Sequence, residues 1–116
     1  MPPYVTALML LGSAYLFGHG CASSQPAGQR LDRGFARIQV HEQAIALASA
    51  RAGGSQTPCE TVCEATGQAC LESGDLCSIA RELADADAVA RCDDAEAQCE
   101  LARDRAAERC PCGGRR

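Results

Sequence analysis

The feature that most constrains this chain is a cysteine interval of seven residues, which occurs in two separate segments. Cys63, Cys70 and Cys77 form one series, and Cys92 and Cys99 form the other. Seven helical residues fall about 20° short of two full turns, so side chains at this interval lie along one stripe of a helix. The spacing therefore predicts two helices, each with a row of cysteines on one face.

The register between the two rows is a second constraint. In an antiparallel hairpin, residues that face each other have a constant sum of sequence numbers. Cys77 and Cys92 give a sum of 169, and Cys70 and Cys99 give 169 as well. This agreement predicts the disulfides Cys77–Cys92 and Cys70–Cys99, and it places the turn near residues 84 and 85.

Four more cysteines, at the open end of the predicted hairpin, leave two pairings open. The nested pairing, Cys63–Cys110 with Cys59–Cys112, gives sums of 173 and 171. The other pairing, Cys59–Cys110 with Cys63–Cys112, gives 169 and 175. Rotamers and a bent terminus can absorb such mismatches, because Pro111 breaks the helix after Cys110. We favour the nested pairing and keep the second as the alternative.

Residues 57–112 have only a few of the large apolar side chains that build an ordinary helical core. They include no aromatic residue, and a segment this short needs covalent staples in place of a core. Disulfides require Cα atoms about 5.5 Å apart, so the seam between the helices must be thin. The residues between the cysteines on the predicted seam are all small: Gly67, Ser73 or Gly74, Ala80, Ala84, Ala88, Ala95, Ala102 and Ala106.

This arrangement is similar to that of the CHCH family, whose helical hairpins are stapled by twin cysteine pairs. The resemblance covers Cys59 to Cys112 and implies an α-hairpin. We therefore predict an all-α fold, in which an amphipathic helix precedes an antiparallel α-hairpin, residues 57–112, stapled by disulfides. Residues 113–116 are expected to form a disordered tail.

The N-terminus has the pattern of an export signal. Residues 4–17, YVTALMLLGSAYLF, form an uncharged apolar run with the length of a signal-peptide core. The sequence GHGC and a polar, Ser- and Gly-containing stretch follow, and together these segments resemble a bacterial lipoprotein precursor. The resemblance implies a signal peptide over 1–20, lipid on Cys21, a flexible tether over 21–29 and a location in the cell envelope, at the outer membrane.

The cysteine count supports that interpretation. The chain has nine cysteines, so lipid on Cys21 would leave eight, an even number that can pair completely. An ordinary secretory signal and a retained short anchor are the alternatives.

Residues 30–53 have the apolar spacing of an amphipathic helix. Asp32 is placed to cap its start, and Gly53-Gly54 to end it. This helix has three interpretations: it packs against the hairpin, it lies on an anionic membrane surface through its net charge of +2, or it binds a partner. The residues that form its apolar stripe are Leu31, Phe35, Ile38, Ile45, Ala48 and Ala52.

The first hairpin helix has a clear start signal in the sequence. Thr57 is expected as the N-cap, Pro58 as the first helical residue and Glu60 as the N3 acid.

Two cysteine motifs point to chemistry other than stapling. Cys110-Pro111-Cys112 resembles the redox-active pair of the mitochondrial import oxidoreductase within the CHCH group, which makes Cys110 and Cys112 the possible redox pair of a thiol–disulfide oxidoreductase. Alternatively, these two cysteines and the pair Cys59 and Cys63 bring four thiolates to the open end, as in a structural zinc site. In an exported protein disulfides are the default use of such cysteines.

The remaining polar residues give little support for catalysis. His41 beside Glu42 is a potential acid–base pair, but no nucleophile accompanies it, so a solvated helix face is expected. We predict no catalytic residue, no metal site and no cofactor.

The charge pattern bears on the partner. A net charge of −4 and the absence of lysine disfavour nucleic-acid binding. The acidic residues of the second hairpin helix alternate with arginines at spacings of three and four, which is typical of an ion-paired surface; an acidic partner-binding face is the alternative. We therefore predict a non-catalytic structural or protein-binding lipoprotein, held at the membrane by its lipid and bound to an envelope protein.

Overall fold

The computed structural model describes residues 26–113, and within them the fold is all-helical. Three helices follow one another: α1 (Pro26–Ala52), α2 (Cys59–Leu83) and α3 (Ala86–Arg109). The predicted all-α architecture, a helix before a disulfide-stapled hairpin, is confirmed. The signal peptide, Cys21 and the first part of the tether lie outside the described residues, as do the last three residues of the predicted tail. Nowhere between residues 26 and 113 does a helix offer an apolar stretch long enough to cross a membrane.

The hairpin turn lies where the register sum places it. Ala84 ends α2 in the left-handed conformation, with φ 50° and ψ 37°, and its N–H donates to the Ala80 carbonyl at 3.0 Å. Asp85 then caps α3, because its carboxylate accepts from the N–H groups of Asp87 and Ala88 at 2.9 and 3.2 Å. Two residues thus reverse the chain and satisfy backbone groups on both sides of the turn.

Helix α2 begins one residue later than predicted. Its N-cap is Pro58, with φ −60° and ψ 146°, whose carbonyl accepts the first helical bond from Val62 N–H at 3.0 Å. Thr57 is therefore not the cap: its N–H donates to the Gly54 carbonyl at 3.2 Å, in the turn that joins α1 to α2. Glu60 does lie in the first turn, where the helix dipole favours a carboxylate.

Helix α1 begins earlier than predicted. It starts at Pro26, so residues 26–29, assigned to the tether from the sequence, belong to the helix. Proline suits a helix start because its φ is preset and its missing N–H would lack a helical partner in any case. Asp32 consequently lies inside the helix and is not its cap. The helix ends at Ala52, directly before the two glycines.

Helix α1 runs antiparallel to α2 and packs on it. Ile38 and Ile45 of α1 are buried to 0% and 1% exposure in one cluster with Leu76 and Ile79 of α2. Near the hairpin turn, Gly34 lies so close to Leu83 that a β-carbon at Gly34 would meet the leucine side chain at 2.5 Å. Of the three interpretations of this helix, packing against the hairpin is the one that the structure shows.

The seam between α2 and α3 is built from small residues and sulfur. The Cα atoms of Cys77 and Cys92 lie 4.7 Å apart, and those of Cys70 and Cys99 lie 4.8 Å apart. Both inner bridges join the cysteines that the register sum pairs. The small seam residues that are buried are Ser73, Ala80, Ala88, Ala95 and Ala106.

Three residues that the sequence places in the seam lie on the protein surface instead. Gly67, Gly74 and Ala84 are exposed, and no atom lies within 4 Å of a β-carbon built on either glycine. Ser73, rather than Gly74, therefore occupies the seam position between the inner bridges.

The nested outer pairing is wrong. The structure joins Cys59 to Cys110 and Cys63 to Cys112, which is the alternative pairing. Cys59–Cys110 keeps the register sum of 169, so this bridge continues the straight row of the inner two. The backbone turns extended at Cys110, with φ −137° and ψ 141°, and Cys112 N–H then donates to the Cys110 carbonyl at 2.9 Å. This turn carries Cys112 back along α2 to Cys63.

Candidate functional site

All eight cysteines between Cys59 and Cys112 are in disulfides that cross the hairpin. Cys110 and Cys112 are therefore not bonded to each other, although only Pro111 separates them in the predicted redox motif. Cys110 is 4% exposed and Cys112 is half-buried. In this oxidised state the motif closes the open end of the hairpin with two bridges, one from each of its cysteines.

The same two bridges bear on the predicted thiolate cluster. The structure does bring the sulfurs of Cys59, Cys63, Cys110 and Cys112 to one end of the hairpin, but it bonds them in pairs. Thiolate is the form of cysteine that ligates a metal, so these sulfurs would need reduction before they could do so.

A groove beside this covalently closed end is the candidate binding site. It has a volume of about 440 Å³ and lies where the C-terminal parts of α1 and α3 flank the start of α2. That volume falls within the range of small-ligand and side-chain pockets. The lining comes from the three helices and from Gly53, directly after α1; its residues are Ser49, Ala52, Gly53, Val62, Thr66, Gln98, Leu101, Ala102, Arg105, Ala106, Glu108 and Arg109.

The groove lining combines apolar and polar residues, and one of its polar groups has no partner among the described residues. Val62 and Ala106 are buried against Cys110, whereas Leu101 of α3 is 48% exposed although it is a large apolar residue. Thr66 is 6% exposed, and its hydroxyl oxygen has no hydrogen-bond partner among the described residues. An unpaired buried hydroxyl typically costs about 1–3 kcal/mol of stability, and the Thr66 oxygen is buried too deeply to contact a group in the groove unless the side chains around it move.

Two arginines give the groove a positive rim. Arg109 is tied to the fold, since its guanidinium donates to the carbonyls of Ser55 and Thr57 at 3.3 and 3.5 Å. Arg105 is exposed and makes no ion pair or side-chain hydrogen bond within residues 26–113. With Glu108 as the one acidic residue of the lining, the groove favours an apolar group that carries a negative charge beside it.

His41 and Glu42, for which the sequence predicts a solvated helix face rather than an acid–base pair, form no hydrogen bond or ion pair with each other. His41 Nδ1 instead contacts the Glu72 carboxylate of α2 at 2.5 Å. Glu42 accepts two hydrogen bonds from Arg91 of α3, at 3.1 and 3.3 Å, and the same guanidinium lies 5.3 Å from the centre of the Phe35 ring. Both residues thus tie α1 to the hairpin and are not a solvated face.

The sequence did contain a signal for the His41 contact. His41 lies three residues after Ile38 and four before Ile45, on the stripe of α1 that faces the hairpin. Glu72 lies four residues before Leu76, on the stripe of α2 that faces α1. A polar residue on the buried stripe of each helix predicts a contact between the two, whereas adjacency in sequence does not.

The chain matches no known protein-family model, no curated protein and no solved structure.

Proposed function

We propose that this chain is a non-catalytic, protein-binding lipoprotein of the bacterial cell envelope, tethered to the outer membrane through lipid on Cys21. The observation that carries the proposal is the groove between the three helices at the covalently closed end of the hairpin. The lipoprotein-like start of the chain supports the location, and the use of eight cysteines as staples suits an exported protein.

The groove fits one kind of partner segment. Exposed Leu101 and buried Val62 offer apolar contact to a side chain that enters between α1 and α3. Arg105, which has no ion pair within the described helices, is placed to meet an acidic residue next to that side chain. We infer a partner segment that presents an apolar residue beside an aspartate or glutamate.

The staples favour binding at this place. Cys59–Cys110 and Cys63–Cys112 fix the starts and ends of the helices that carry Val62, Thr66 and Arg105. A surface that is already held in its bound shape loses less conformational entropy when a partner docks. The binding free energy is more favourable by that difference.

The proposal is tested by site-specific crosslinking in intact cells. A photoreactive residue at position 101 should give one discrete crosslinked protein, which mass spectrometry identifies. Val89 provides a matched control, since it is on the same helix and is 45% exposed against 48% for Leu101, yet it lies outside the groove. Arg105→Glu should abolish the crosslink from position 101. The same crosslinks from positions 89 and 101, or no effect of Arg105→Glu, would contradict the groove as the site.

The anchor and the oxidation state are tested separately. Intact mass of protein extracted from membranes should show a lipidated chain in which no cysteine reacts with an alkylating agent before reduction and eight react afterwards. An unlipidated mass would remove the anchor from the proposal. Free thiols at Cys110 and Cys112 before reduction would favour the oxidoreductase or thiolate-metal function instead.

A further inference from the structure

A second cluster of polar groups lies away from the groove, where α1 crosses the middle of α2. His41 of α1 meets Glu72 and Asp75 of α2, and one ligand-type atom from each lies within 4.8 Å of the other two. His41 and Glu72 are half-buried, and Asp75 is exposed. The cluster combines one imidazole and two carboxylates, with a solvent-facing side.

Glu72 is held in place from both sides. Its Oε2 contacts His41 Nδ1 at 2.5 Å, and its Oε1 accepts a hydrogen bond from the side-chain amide of Gln68 at 2.7 Å. A hydrogen bond to the outer oxygen of a carboxylate is the arrangement that orients ligands in metal sites. Gln68 therefore acts as a positioning residue for the Glu72 carboxylate.

The cluster has a surplus of negative charge. Within residues 26–113, no arginine lies within ion-pair distance of Glu72 or Asp75, whereas Glu42 and Glu82 each have an arginine partner. Two carboxylates thus lie beside one imidazole, with no arginine among the described residues to offset their charge. A divalent cation would neutralise that charge and take the place of the proton between His41 and Glu72.

We propose that His41, Glu72 and Asp75 bind a zinc ion. Imidazole with carboxylate suits zinc, whereas calcium and magnesium prefer oxygen ligands alone. Zinc bonds of about 2.0–2.2 Å in a tetrahedral site hold the ligand atoms roughly 3.4 Å apart, so the side chains need only small rotations. Three protein ligands leave the fourth position, on the exposed side, for water.

The site would join α1, which has no disulfide, to the stapled hairpin. Zinc bound across α1 and α2 stabilises the docked state of α1 by mass action, since undocking separates His41 from the two carboxylates. This inference goes beyond the proposed binding function and does not depend on the groove.

The test is a calorimetric titration of zinc into the full-length protein. The protein is solubilised in detergent and treated with a chelator beforehand, and its disulfides are kept intact. We expect one zinc ion per chain. His41→Gln and Asp75→Asn should each abolish stoichiometric binding, and Gln68→Ala should weaken it about tenfold. Asp75 is exposed, so Asp75→Asn keeps the fold even if His41→Gln loosens α1. Asp93→Asn, an exposed acid on α3, is the matched control and should bind zinc as the wild type does.

Hydrogen exchange gives an independent readout of the same site. Zinc should slow exchange in α1 of the wild type and leave it unchanged in Asp75→Asn. No zinc binding by the wild type would overturn the proposal, and so would equal binding by the wild type and both ligand variants. Binding that appears only after reduction and survives Asp75→Asn would assign the metal to thiolates and overturn it as well.

Discussion

Two interfaces hold this molecule together, and they do so by opposite means. Between α2 and α3, small residues let the backbones approach until Cα atoms lie 4.7–5.4 Å apart at the four bridges, and the bridges supply the connection. Between α1 and α2, no bridge exists, and Ile38, Ile45, Leu76 and Ile79 are buried as in an ordinary core.

The difference shows what each interface demands of the sequence. A covalent seam needs cysteines in register and little bulk between them. An apolar interface needs branched side chains at helical spacing, which α1 and one face of α2 provide. Helix α2 carries the cysteine row on one face and an apolar stripe on another, so α1 and α3 both pack against it.

The largest expected effect comes from reduction of the four disulfides. Each bridge closes a loop of 15 to 51 residues and contributes about 3–4 kcal/mol in the chain-entropy model, although the contributions do not add. Reduction should therefore unfold α2 and α3, and most of the far-UV circular dichroism signal of these helices should be lost. Unchanged helicity under strong reductant would show that the α2–α3 seam does not depend on its bridges.

Ile45→Ala tests the other interface. Ile45 is 1% exposed against the hairpin, and removing it should cost about 2–5 kcal/mol, because it leaves a cavity under α1. Hydrogen exchange should accelerate in α1, while the hairpin keeps its protection through its disulfides. Leu47→Ala is the matched control: Leu47 is 69% exposed on the same helix, and its loss should change the stability by less than about 0.5 kcal/mol. Equal acceleration in α1 and the hairpin would mean that the two interfaces unfold together.

A pair of glycine substitutions gives the smallest effect and the finest comparison. Gly67→Ala in α2 should stabilise the protein by about 1 kcal/mol, since the site is helical, exposed and free of neighbours within 4 Å. Gly34→Ala in α1 should not give this stabilisation. The added methyl group meets the Leu83 side chain and forces repacking that costs about 1–3 kcal/mol. Chemical denaturation of the two variants measures both values. Equal stabilisation would mean that Leu83 moves aside freely.

The cysteine register made the hairpin predictable. The sum of 169 fixed the turn at Ala84 and Asp85 and the two inner bridges, because two cysteine pairs with the same sum select one register of an antiparallel helix pair. The same sum also selects Cys59–Cys110, which the nested pairing passed over. Cys63–Cys112, with a sum of 175, departs from the register, because Cys112 lies beyond the end of α3 and its position depends on the backbone at Cys110.

The candidate sites were largely beyond the reach of the sequence. The groove depends on the angles at which α1 and α3 pack against α2, and no local sequence pattern predicts those angles. His41 and Glu72 are 31 residues apart, so the sequence predicted a solvated face for His41 where the structure has a contact between two helices. Thr57 was misassigned as a cap because capping depends on the actual dihedral angles at Pro58, and the two candidate positions differ by one residue.

The two outer bridges interleave: Cys63 lies between Cys59 and Cys110 and Cys112 lies beyond both, so the second bridge begins inside the loop closed by the first and ends outside it. During oxidative folding, the nested isomer would differ from the native one by a single exchange between adjacent bridges. Both isomers have the same mass and the same tryptic fragments, because no arginine separates Cys59 from Cys63 or Cys110 from Cys112. A preparation of this protein can therefore be fully oxidised and still mispaired at the end that borders the groove, and only stepwise reduction with alkylation of single bridges would distinguish the two forms.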